Sequence, residues 1–178
     1  TSPSMDILVS SNLERLIFHL LGNDAAKTKA LMEQLVSEGE YTLPDVDQSI
    51  LDLFEAGYAT EVETSAEIKR VYEASDYIED PHTAVASAVY QKYAERTGDK
   101  TPTVIASTAS PYKFPRVAVE AVSGQAPADD FVAVKELEKL SGVAIPKAVN
   151  GLETAEVRHK TVVATGDMQK AVENYLGL

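Results

Sequence analysis

Apolar residues recur at helical spacing along much of the chain. Leu13, Leu16, Ile17 and Leu20 fall at the i, i+3, i+4 and i+7 positions of an amphipathic helix, and Ser11 with Glu14 has the spacing of a capping box, which predicts a helix over 12–21. Asp24 can cap a second helix, whose Leu31, Met32, Leu35 and Val36 form one face before Gly39 stops it. Pro44 opens a third, ending at Gly57, with Val46, Ile50, Leu53 and Phe54 on one side and Asp45, Asp47, Asp52 and Glu55 in water. Thr64 and Glu67 form another capping box, before Ile68, Val71 and Tyr72.

The pattern then changes. Tyr77-Ile78-Glu79 reads as a short strand, and Asp80 followed by Pro81 puts a carboxylate at the N-cap and proline at the first turn of a helix that Gly98 ends. Pro102 introduces a buried strand over 103–107. Pro115 starts a helix to Val122 that Gly124 closes, and 125–129 is a loop. Asp130 caps a helix to Leu140, 157–164 reads as a strand, and Asp167 caps the last helix, to Leu176. Many helices and few strands give an α/β class rich in helix. A lone Val104-Ile105-Ala106 strand can neither satisfy its backbone nor cover both faces, so its sheet partners are expected outside this sequence.

Composition narrows the function. The chain of 178 residues is 44% hydrophobic, enough for one sizeable core. No apolar run reaches the roughly 20 residues of a membrane helix, and residues 1–6 lack the basic and apolar regions of a secretory signal, so a cytoplasmic location is expected. With no cysteine, disulfides and thiolate metal sites are excluded. The net charge of −12 resides within 31–80, where Lys69 and Arg70 are the only bases. That points to a solvated acidic lobe over 23–75, an elaboration remote from any site. Nucleic acid is not an expected partner, because the bases form no stripe that could neutralise phosphates. His19 and His159 have no acidic or histidine partner at ligand spacing, so no metal site is expected.

The candidate chemistry lies in three segments. In Val104-Ile105-Ala106-Ser107-Thr108-Ala109-Ser110-Pro111-Tyr112-Lys113-Phe114, an apolar run ends in hydroxyls, as where a strand delivers polar groups to a ligand. Asp80-Pro81-His82-Thr83-Ala84-Val85 opens a helix whose free N–H groups favour negative charge. Near the start stand Ser4-Met5-Asp6-Ile7 and Ser10-Ser11-Asn12-Leu13-Glu14-Arg15. A purely structural account is open for each: Ser107 and Thr108 turning the chain, His82 packing beside a cap, Lys113 solvated, Asn12 and Arg15 serving a helix start.

Together these segments resemble the C-terminal portion of threonine synthase, a pyridoxal-phosphate enzyme of fold type II. The acidic-helix motif resembles the family's Asp-Pro-His-Thr-Ala-Val at every position. The segment 107–114 resembles Thr-Ala-His-Pro-Ala-Lys-Phe, with Thr108, Ala109, Pro111, Lys113 and Phe114 matching and Ser110 and Tyr112 replacing the usual His and Ala. The resemblance implies that Thr108, with Ser107, binds the cofactor ring, since a hydroxyl can donate to or accept from the pyridine nitrogen. It assigns Lys113, His82, Asn12 and Arg15 to the substrate side. It further implies that the intact enzyme converts O-phospho-L-homoserine and water to L-threonine and phosphate.

The family's Schiff-base lysine follows phenylalanine, but here Phe18, Phe54, Phe114 and Phe131 precede His, Glu, Pro and Val. The glycine-bearing phosphate loop is likewise missing. Residues 1–178 are therefore expected to be a C-terminal fragment that needs the N-terminal part of the same chain, supplies no catalytic residue and is inactive alone. Two rivals are a non-catalytic helical interaction or regulatory domain, and a hydrolase using His82 with Ser107 or Ser110. The second lacks a Gly-x-Ser-x-Gly elbow.

Overall fold

The computed structural model describes residues 7, 9–44, 46 and 48–178. Ser4, Met5 and Asp6 of the first segment, and Asp45 and Asp47, lie outside the described residues. Contacts divide the chain into one unit up to Ala144 and a second over Ile145–Leu178.

In the first unit, α1 (Ser11–Leu20) packs on α2 (Ala25–Glu38) and on the single turn α3 (Gln48–Leu51). The core of the unit comes from α4 (Glu61–Ser75), α5 (Pro81–Thr97), α6 (Pro115–Ser123) and α7 (Asp130–Ser141), packed as α4 on α5, α4 on α6 and α6 on α7. Ala84, Ala118 and Ala133 are each fully buried, so small side chains admit close approach while Ile68, Val119 and Leu137 fill the space between. The second unit carries two short 3-10 turns and α8 (Met168–Leu176).

Helix ends follow the capping logic, with shifts. Asp24 caps α2 through the N–H groups of Ala26 and Lys27, both at 3.0 Å, and Gly39 closes it at φ 81°. For α1 the cap is Ser10 rather than Ser11, and for α7 it is Asp129 rather than Asp130. Asp167 stands at the start of α8 but makes no side-chain capping bond.

The capping box of α4 is Thr60 with Glu63, not Thr64 with Glu67. Both pairs have the same spacing. The earlier one adds a turn, lets Thr64 donate to the Thr60 carbonyl at 2.9 Å, and places Glu63 2.6 Å from Lys92 of α5. Glu67 is thereby released to face inward. The expected helix over 44–57 is reduced to Gln48–Leu51, leaving Leu53 and Phe54 exposed. Beyond it the chain crosses α5, where Lys92 donates to the Tyr58 carbonyl at 3.0 Å and Arg96 meets Glu55 at 2.6 Å.

The three expected strands are a correction: among the described residues there is no β-strand, and 77–79, 103–107 and 157–164 are irregular. Val104 is 95% exposed and Val162 93%, so neither run is buried. A strand exists only through a neighbour that takes up its N–H and C=O groups, and none is present here.

Candidate functional site

Asp80 organises the site. It is fully buried and accepts from the backbone N–H of His82 at 2.9 Å and of Thr83 at 3.3 Å, and from the Thr83 hydroxyl. Proline at the next position has no N–H to leave unpaired, so the start of α5 is rigid. The Thr83 and Ser107 hydroxyl oxygens lie 3.0 Å apart. Thr83 has one proton and gives it to Asp80, so Ser107 is the donor between the two hydroxyls. This chain of bonds ties the irregular 103–107 segment to the helix.

A second tie comes from the aromatic ring of Phe114. It meets the His82 imidazole edge-on, with centroids 4.7 Å apart and planes at 71°. The Lys113 ammonium lies 5.3 Å from the same ring. Between Ser107 and Phe114, Ser110 caps a 3-10 turn over Pro111–Lys113 by accepting from the Tyr112 N–H at 3.3 Å. The buried Tyr112 hydroxyl donates to the Val143 carbonyl. Burial pushes the Tyr112 phenol up. The residue in the place of the family's histidine therefore has a local capping task.

Asp80, His82, Thr83, Ser107, Lys113 and Phe114 thus form one cluster, with Ser107, Thr108 and Lys113 exposed at its surface. Asn12 and Arg15 stand elsewhere in contact terms: they are bonded to each other on α1, and Arg15 lines a groove between α1 and α2 beside Phe18 and Met32.

Residue patterning gives Glu67 as a helix cap and Glu79 as part of a strand, and Ser87 no role, whereas the structure places all three behind this cluster. Arg70 grips Glu67 with two bonds of 2.7 Å, and Ser87 donates to Glu67 at 2.5 Å. Arg70, against burial, holds the Glu67 carboxyl below its ordinary range. Glu79, buried and next to the Glu67 charge, is pushed up to about 7. One signal was available: Glu67 shares a helical stripe with Thr64, Ile68 and Val71, where an acid is out of place unless paired.

The family model for the C-terminal domain of threonine synthase matches residues 83–175. The chain belongs to the threonine synthase family. It is 37% identical over 131 residues to threonine synthase of Corynebacterium glutamicum, covering 71% of this chain and 27% of that protein. With the Saccharomyces cerevisiae threonine synthase it shares 34% over 176 residues, covering 88% and 33%. Among solved structures, the pyridoxal-phosphate-bound threonine synthase of Brucella melitensis superposes with a TM-score of 0.59 at 40% identity, covering 71% of this chain and 26% of that one. The chain spans about a quarter to a third of the length of these relatives. The helix-rich character and the fold class agree with the sequence reading.

Proposed function

We propose that this chain forms one wall of the pyridoxal-phosphate pocket of an enzyme that converts O-phospho-L-homoserine and water to L-threonine and phosphate. The observation that carries the reading is the joining of the two family-like segments, through Thr83 with Ser107 and His82 with Phe114. When bound, the cofactor supplies an electron sink for carbanion chemistry. The residues here fit its ring, because Thr108 presents an exposed hydroxyl able to donate or accept and the exposed Ser107 hydroxyl, its proton given to Thr83, can accept. Ser107 is oriented by Thr83, and Thr108 follows it at the ring nitrogen. Lys113 and His82 face the anionic substrate, whereas the N–H groups of His82 and Thr83 at the start of α5 are taken up by Asp80. Asn12 and Arg15 complete the substrate side only once the remainder of the protein joins α1 to this cluster.

The Schiff-base lysine and phosphate loop belong to the N-terminal part of the same protein, and residues 1–178 alone are inactive. The acidic span 23–75 is an elaboration whose exposed carboxylates act on solubility rather than turnover, while the inner face of α4 packs on α5. No described helix is long and apolar enough to cross a membrane; the cytoplasmic location is part of the proposal.

The test is phosphate release from O-phospho-L-homoserine by the full-length protein, with residues 1–178 run in parallel. Threonine formed by the long form alone supports the reading. Inactivity of both, with no cofactor bound, supports a non-catalytic interaction domain instead.

A further inference from the structure

Tyr112 stands in the place of the family's alanine, within the turn between Ser107 and Phe114. That turn is thinly held by its own backbone. The Lys113 N–H donates to the Ser110 carbonyl at 2.9 Å and the Phe114 N–H to the Pro111 carbonyl at 3.0 Å, and so short a 3-10 turn has poor bond geometry. Ser107, Thr108 and Ser110, which lead into it, are exposed, so packing adds little there.

Tyr112 differs from them: it is only 5% exposed, and its hydroxyl donates to the Val143 carbonyl. That acceptor is a fixed point. Gly142 closes α7 in the left-handed region at φ 67°, the Val143 N–H donates to Ser141 Oγ at 3.2 Å, and the Ser141 hydroxyl donates to the Leu137 carbonyl at 2.7 Å. The Tyr112 side chain lines a cavity of about 130 Å³ with Ile78, Pro111 and Val143. Packing therefore leaves the ring room to shift, and the directional bond decides where it rests. The next residue is Lys113, whose ammonium lies 5.3 Å from the Phe114 ring, and that ring meets the His82 imidazole edge-on.

We propose that Tyr112 is a positioning residue whose hydroxyl anchors the 110–114 turn to the end of α7 and so sets where Lys113 and Phe114 stand against His82. Its effect on substrate binding rests on the proposed role of Lys113 and His82. Without the bond the turn loosens, and the two cationic candidates lose the fixed ring between them. The hold on an anionic substrate then weakens while the reacting centre, supplied by other groups, is unchanged.

The experiment compares the full-length wild type with Tyr112→Phe, which keeps the buried ring and removes the hydroxyl, and with Tyr72→Phe as control. Tyr72 also donates to the end of α7, to the Leu140 carbonyl at 3.4 Å, but it lies on α4 rather than in the turn. Two quantities are followed: steady-state kinetics with O-phospho-L-homoserine, and hydrogen–deuterium exchange of the peptide covering 107–116. Tyr112→Phe should raise KM by roughly three- to tenfold, the equivalent of about one hydrogen bond, with kcat changed less than about twofold. It should also speed exchange over the turn. Tyr72→Phe should leave both at the wild-type values.

Wild-type exchange over the turn in Tyr112→Phe would overturn the anchoring. Faster exchange with unchanged KM would overturn the positioning of the site groups. Equal rises of KM in Tyr112→Phe and Tyr72→Phe would trace the effect to the whole end of α7 and overturn it as well. A wild type that does not turn over O-phospho-L-homoserine defeats the functional reading and the expected change in KM with it, while the exchange still decides the anchoring.

Discussion

Thr83 and Ser107, distant in sequence, hold their hydroxyl oxygens 3.0 Å apart. Thr83 passes its proton to the buried Asp80, so it acts as the relay between a helix cap and an exposed loop. Replacing it with the near-isosteric valine removes both bonds and leaves the Asp80 carboxylate short of a partner. Thr83→Val should destabilise the full-length protein by about 1–3 kcal/mol in urea denaturation. Thr83→Ser, which keeps the hydroxyl, should recover most of that loss. Equal losses in the two variants would mean that the methyl group, not the hydroxyl, carries the effect.

Thr108 differs from Thr83 in being exposed. If it serves the ring nitrogen, its hydroxyl matters for cofactor binding and hardly at all for folding. Thr108→Val in the full-length protein should bind pyridoxal phosphate more weakly, followed by absorbance titration, with stability changed by less than about 0.5 kcal/mol. Unchanged affinity would remove Thr108 from the site.

Local signals made most helices legible, and for a physical reason. Asp24, Asp80 with Pro81, and Pro115 declare helix starts through groups adjacent in sequence, and Gly39, Gly98 and Gly124 end helices in the left-handed region. Where two local signals compete, sequence cannot choose. Thr60 with Glu63 and Thr64 with Glu67 are equivalent boxes, and packing of α4 on α5 decides between them. The segments 77–79, 103–107 and 157–164 carry strand composition, but a strand is a property of a pair, and these have no partner here. For the site, the motif residues were legible by resemblance, whereas the Glu67–Ser87–Glu79 arrangement depends on the approach of two helices.

Gly57 is a point where close approach, not backbone freedom, demands glycine. A Cβ there would lie 2.6 Å from Val89 Cγ1. Val89 sits within α5, where a β-branched side chain has little freedom to turn away. Gly57→Ala should destabilise by about 1–3 kcal/mol through overpacking. Combining it with Val89→Ala should cost less than the sum of the two single changes, which a double-mutant cycle would read. Strict additivity would place the strain elsewhere.

The exposed acids Glu33, Glu38 and Glu40 bring charge to the acidic span without contributing to the core. Changing all three to glutamine should lower solubility near neutral pH, because less net charge permits association. Turnover of the full-length enzyme should be unchanged. A large loss of turnover with an intact fold would show that this span reaches the site.

Glu67 and Glu79 should give opposite pH responses. The Arg70 bonds lower the Glu67 pKa from its ordinary 4.5, so in the folded state Glu67 releases its proton more readily than in the unfolded chain. Its contribution is therefore present above about pH 4.5 and is lost as pH falls through the lowered value. Glu79, raised to about 7, contributes stability below its ordinary 4.5 that is lost progressively as pH rises through about 7. Together they predict a stability maximum on the mildly acidic side. Glu67→Gln should remove part of the acid limb and leave the alkaline limb, measured by thermal unfolding across pH. It also leaves Arg70 without its carboxylate, so Tm should fall at neutral pH even as the acid slope flattens. An acid limb of unchanged slope in Glu67→Gln would assign that limb to other carboxylates, with Glu63 beside Lys92, lowered to about 2, the next to change.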